Sequence, residues 1–221
     1  MFHEEKGKKQ TRTEHREELT NRIVRETLEL LKERGYEKTT MRQIAMKSGI
    51  LTGSLYNIFP SKDDIIERIF VNGFDFSLEL SKKYLKEDDG LLLNISFPLG
   101  LTLHLASLDE HVAELFNVAM NNWKIISSMI SVTANWAKQQ AAKFKVTLDP
   151  ENYDSHILAL FGAAGAYVLR IRTEGKKDYV VELASCMRMF CTLFKFPDGT
   201  VDADARKMAD MMKSADFAIL R

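Results

Sequence analysis

The stretch Ser48–Asp64, SGILTGSLYNIFPSKDD, decides the fold. It holds Gly49 and Gly53, the aromatics Tyr56 and Phe59, then Pro60 and a Ser-Lys-Asp-Asp run. Gly49 stops one helix and Pro60 stops another, while Ser61, Asp63 and Asp64 suit the positive end of a third. Elements this short cannot form a core by themselves. They hold a short helix at a fixed angle to its neighbours. Upstream, Thr40 and Gln43 have capping-box spacing and open a helix over Met41–Lys47, whose inner face is Met41, Ile44 and Ala45. Further upstream, Leu19, Ile23, Leu30 and Leu31, with Thr27 between them, share one face of a helix from Glu14 to Arg34. Thr11 and Glu14 offer capping-box spacing at its start, and Gly35 ends it. After Gly49 a third helix reads to about Phe59, with Leu55 and Phe59 on one face. Two short helices joined by a glycine turn and braced by a longer one form a helix-turn-helix, which presents its second short helix to a DNA major groove. The spacing alone also fits the short helices of ordinary helical cores.

The residue types narrow this. Thr39-Thr40, Ile44-Ala45, Ser48-Gly49-Ile50, Gly53-Ser54-Leu55-Tyr56, Phe59 and Ser61-Lys62 stand in register, preceded by Gly35-Tyr36. The segment from about residue 14 to residue 70 thereby resembles the DNA-binding domain of the TetR family of bacterial transcriptional regulators. The resemblance implies that Thr40 binds a phosphate, that Thr52, Gly53, Ser54 and Asn57 face the groove, and that Tyr56 and Lys62 hold the DNA backbone. Ile44, Leu55 and Phe59 are then structural. Family members often carry Ser-Lys before the glycine of the recognition helix, where this chain has Leu51-Thr52. Leu51 is a poor N-cap, a loss of about 1 kcal/mol. Thr52 could cap instead, starting the helix one residue later. The missing lysine shifts phosphate affinity onto Lys62, Arg42 and a basic arm over residues 1–13, which could lie in a minor groove or serve only as a polar tail.

The whole chain has 221 residues, and its Lys+Arg and Asp+Glu counts are equal at 31, so no overall basic charge advertises nucleic acid. Only four prolines favour long helices over sheet. Cys186 and Cys191, five apart on one helix, point in different directions, which fits buried thiols in a reducing compartment. Gly90–Leu108 is uncharged and about as long as a membrane span. Its Asn94, Ser96, Pro98, Thr102 and His104, with acidic flanks, instead mark a buried core helix kinked at Pro98. No signal peptide, strand, repeat or low-complexity segment is evident.

The expected fold is all-α: an N-terminal three-helix domain over residues 14–62 and a larger helical ligand-binding and dimerisation domain over residues 63–221. A long helix follows Ser61 and breaks at Glu87–Gly90. Asp109 caps a helix to about Asn121, and another long helix starts at Trp123. The last three run about Asp154–Arg172, Tyr179–Phe194 and Asp202–Leu220. Gly162, Ala163, Gly165 and Ala166 let another helix approach closely, and Val180–Phe194 is apolar almost all round. Such a pair suits a symmetric four-helix dimer interface, with Gly162, Ala166, Met187 and Phe190 as its residues; a pair of monomer core helices has the same pattern. In the TetR family the middle helices surround a pocket for a small molecule. That implies a site near Phe97, His104, Phe116, Met120, Trp123 and Trp136, with Asn117 or Asn121 as further polar anchors.

No catalytic motif, phosphate loop or metal-ligand spacing is present. No cofactor, metal or enzymatic activity is expected. The reading is a cytoplasmic, homodimeric repressor that binds a double-stranded operator and is released by a small apolar molecule, without a membrane partner. The alternatives are an activating or ligand-independent regulator, and a helical small-molecule binding protein or enzyme with a vestigial helix-turn-helix.

Overall fold

A computed structural model describes residues 12–86, 88–147, 152–175 and 178–215. The basic arm up to residue 11, the Thr11 cap and the end of the last helix lie outside the described residues. Among those described there are ten helices and no strand. They are α1 (Arg12–Lys38), α2 (Met41–Lys47), α3 (Thr52–Tyr56), α4 (Lys62–Tyr84), α5 (Leu91–Leu108), α6 (Glu110–Met120), α7 (Trp123–Lys143), α8 (Tyr153–Glu174), α9 (Val180–Leu193) and α10 (Val201–Ser214). The chain divides into two compact units at Arg68 and Ile69, inside α4.

In the first unit the local chemistry works as its residues dictate. Gly35 interrupts α1 at φ 76°, a left-handed conformation that a side chain disfavours. Thr39 is buried and donates its hydroxyl to the Gly35 carbonyl at 2.8 Å, tying the bend to the next helix. At α2 the Gln43 backbone N–H donates to the Thr40 hydroxyl, and the Thr40 N–H donates to Gln43 Oε1 at 2.9 Å, a complete capping box. Gly49, at φ 68°, closes α2. The core is Ile23, Val24, Leu30, Leu31, Ile44, Ala45, Leu55, Phe59, Ile65 and Ile66.

Ser48 sits in this core with its hydroxyl unpartnered. A buried unpaired hydroxyl costs about 1–3 kcal/mol. Ser48→Ala should therefore raise the thermal midpoint of the full chain, read by circular dichroism. A lower midpoint would mean the hydroxyl holds a structural water.

In the second unit α5 lies at the centre. The helix runs unbroken through Pro98, with Phe97, Leu101 and Leu103 inside. Proline removes one backbone donor, and close packing on both sides of α5 holds the helix through it. Leu91–Leu108 is long and apolar enough to cross a membrane, but much of it is buried within the unit. Gly100 lets α10 settle on it, since a Cβ there would stand 2.8 Å from Met208 Cγ. Gly165 likewise admits Met120, whose Cγ would lie 3.0 Å from an added Cβ. Asp89 accepts from Lys207 and from the Lys86 backbone, pinning the α4–α5 connection to α10.

Candidate nucleic-acid interface

The helix-turn-helix sorts its residues cleanly. Ile44, Leu55 and Phe59 point into the unit, whereas Thr40, Arg42, Thr52, Gly53, Ser54, Tyr56 and Asn57 are all exposed. The third helix is shorter than its pattern suggests. It ends at Tyr56, and Asn57 forms its C-cap by donating its N–H to the Gly53 carbonyl. Leu51, not Thr52, occupies the N-cap, and its side chain makes no cap bond.

Gly53 is informative because nothing inside the protein needs it. An added Cβ would meet no atom within 4 Å, and the residue has no left-handed backbone. Glycine in a helix costs about 1 kcal/mol relative to alanine. The fold does not require this glycine, and without a side chain it leaves this part of α3 open to close approach by another backbone.

Tyr56 is 49% exposed. Its hydroxyl has no hydrogen bond among the described residues, which leaves it available at the surface. Thr40 differs, because its hydroxyl proton points at Gln43 Oε1, 3.0 Å away. A phosphate at Thr40 would compete with the helix cap.

Lys62 is partly buried. Its Nζ donates to the carbonyls of Tyr36 at 2.7 Å and Thr39 at 3.0 Å, and lies 3.6 Å from the centre of the Tyr36 ring. Burial lowers its pKa, against the pull of Glu37 and Asp63. The Tyr36 hydroxyl donates to Asp63 at 2.6 Å, and burial with that carboxylate pushes its pKa well up. Lys62 thus spends two of its three N–H bonds locking the end of α1 and the start of α2 to α4. Sequence spacing gave no sign of this, because the partners are 26 and 23 residues away.

Residues 23–69 match the family described as bacterial regulatory proteins, tetR family. The match spans the helix-turn-helix, from within α1 to the first turns of α4. Solved structures of TetR-type regulators share the architecture along most of the chain. RolR in complex with resorcinol aligns with a TM-score of 0.65 at 17% identity, covering 88% of this chain and 96% of that one. RolR without ligand aligns at 0.61 and 16%, covering 84% and 96%. TylP, a TetR regulator from Streptomyces fradiae, aligns at 0.55 and 19%, covering 91% and 99%. Identities this low show a common fold. No curated protein matches the sequence.

The residues expected to line a ligand site fall apart into three groups. Phe97, Phe116 and Trp136 are buried, with Phe116 against Phe70 at 5.9 Å and Trp136 edge-on to Phe74 at 5.6 Å between ring centres. His104 is buried and meets the Tyr179 hydroxyl at 3.1 Å. Burial, helped by Lys213, lowers the pKa of His104 and favours the neutral ring. Met120 is half-buried against Gly165. Trp123 is different. It is 65% exposed at the start of α7 and stands outside any interior site. Among the described residues no three His, Cys, Asp or Glu side chains gather as a metal site.

The expected dimer residues also separate. Gly162 and Ala166 lie on the open face of α8, together with Leu158, Ala159 and Leu169. Met187 and Phe190 do not lie on such a face. They are buried in their own unit's core, where Phe190 packs on Phe194 at 4.8 Å. The helix is not apolar all round, because Ser185, Arg188 and Thr192 recur at helical spacing on the side away from Met187 and Phe190. The outer side of α9 carries Val181, Arg188 and Thr192. Arg170 reaches the buried Glu182 carboxylate at 3.6 Å and Glu174 at 3.0 Å, fastening α8 to α9.

Proposed function

We propose that the protein is a cytoplasmic, homodimeric repressor that binds a double-stranded operator and releases it when a small, mostly apolar molecule binds the second unit. The observation that carries the DNA part is the exposed, internally unneeded Gly53 among Thr52, Ser54 and Asn57 on a fixed short helix. Thr52, Ser54 and Asn57 read base edges, and Gly53 lets the helix come close. Tyr56 and Arg42 hold phosphates. Lys62 adds one N–H and a positive charge while it keeps the unit in shape. Residues 14–62 serve this role, and residues 63–221 serve ligand binding and assembly.

Two chains pair through the open face of α8. Ser155, Leu158, Ala159, Gly162, Ala166 and Leu169 recur at helical spacing and are exposed. Gly162 and Ala166 let two backbones approach. The input lies among α5 to α8, where Phe97, Phe116, Met120 and Trp136 give apolar surface and His104 with Tyr179 gives a polar anchor. RolR, solved with resorcinol and without it, supports small-molecule input in this fold. Ligand selects a spacing of the two recognition helices that no longer fits the operator. By linkage, it binds the free dimer more tightly than the DNA-bound one by the same factor.

Tyr56→Phe should weaken operator binding about tenfold and leave thermal stability unchanged, since the ring stays and only a phosphate hydrogen bond goes. Asn57→Ala should alter preference at particular operator positions by about 1–3 kcal/mol. Binding curves on operator variants check both, and unchanged curves would move the interface elsewhere. The function as a whole is tested by a salt-titrated shift assay on the DNA upstream of the protein's own gene, followed by release with candidate small phenols and other apolar compounds. Retarded DNA that a compound frees supports it. Absence of retardation at low salt refutes it.

A further inference from the structure

Leu51 breaks two local rules at once. It holds the N-cap of α3, where Ser, Thr, Asp or Asn would satisfy a backbone N–H, and its side chain makes no such bond. It is also 79% exposed, so an isobutyl group stands in water beside Thr52 and Ser54. The unit's own core makes no use of it, because the buried apolar residue of this helix is Leu55. A side chain that weakens its helix and gains no packing is explained by what it meets in a complex. The proposed complex supplies the partner. The start of a recognition helix faces base edges, and the apolar feature of the major groove is the C5-methyl group of thymine.

We propose that Leu51 is a specificity-determining residue that reads one thymine methyl in each half-site. This rests on the DNA-binding reading above and deepens it by naming what the operator must contain. Leu51 packs on the methyl, and the polar side chains after it take the neighbouring base edges. The uncapped helix start is the cost of that choice.

Deoxyuridine differs from thymidine only by the lost methyl, so it isolates the contact. Duplexes that the full-length protein selects from a random pool would be resynthesised with each thymine replaced in turn by deoxyuridine. Loss of one buried methyl corresponds to about fourfold in affinity per half-site, or about fifteenfold for both. One thymine position should show this loss with the natural protein. With Leu51→Ser the same replacement should change affinity less than twofold, while the new cap keeps or raises the thermal midpoint. Leu51→Met, still apolar, should retain the methyl effect. A flat uridine scan, or an equal loss in Leu51→Ser, overturns the proposal while leaving DNA binding intact. A pool that yields no sequence at all overturns the DNA reading, and this proposal with it.

Discussion

Gly162→Trp should abolish high-affinity operator binding while the helical fold survives. Gly162 lies on the exposed face of α8, and a Cβ there meets no atom of its own chain within 4 Å. Within the monomer a side chain at this position leaves the helix toward open space. A partner helix packed against Gly162 and Ala166 leaves no room for an indole. Loss of the dimer leaves each chain holding a single half-site. The second binding event then loses its effective concentration, and affinity falls by about 10²–10⁴. Light scattering should give the monomer mass, with helix content by circular dichroism close to that of the natural protein. A dimer of normal mass would put the interface on another face.

Met187→Glu should instead collapse the second unit. Met187 is 1% exposed, next to Leu183, Ala184 and Cys191 in the core. An unpaired carboxylate there costs about 3–5 kcal/mol, a large part of a typical domain's stability. The expected result is loss of cooperative thermal unfolding or insoluble protein. A folded monomer would contradict the burial and return Met187 to the interface. The two variants lie on neighbouring helices, and their opposite outcomes locate the inner and outer faces of the α8–α9 pair.

That contrast also shows what was legible in the sequence. Punctuation was legible, because it is local. The capping box at Thr40 and Gln43 and the stops at Gly35 and Gly49 set the bounds of α2 at Met41–Lys47. Ile44, Leu55 and Phe59 were inner residues by spacing alone. Faces were harder to read where few polar residues mark the outer side of a helix. Along Val180–Leu193 the polar Ser185, Arg188 and Thr192 share a stripe with Val181, and Met187 and Phe190 lie away from it, so the outer side is marked by three small or polar residues among many apolar ones. Glycines in one run also diverge, since Gly165 receives Met120 while Gly162 faces outward. Trp123 looked like pocket material by size, yet it sits at a helix start where neighbours cannot enclose it. The inward bonds of Lys62 and the contact of His104 with Tyr179, 75 residues away, are tertiary and leave no local mark.

The central claim is that α3 reads a DNA sequence on behalf of a symmetric pair of chains. Its most direct measurement is a footprint on duplexes that the full-length protein selects from a random pool. The expected result is two matching half-sites in inverted orientation. Protection falls in major grooves on one side of the duplex, whole helical turns of about 34–36 Å apart. Two chains bind per duplex, and affinity falls steeply with salt. A pool without a common sequence, or even protection along the whole duplex, would contradict it.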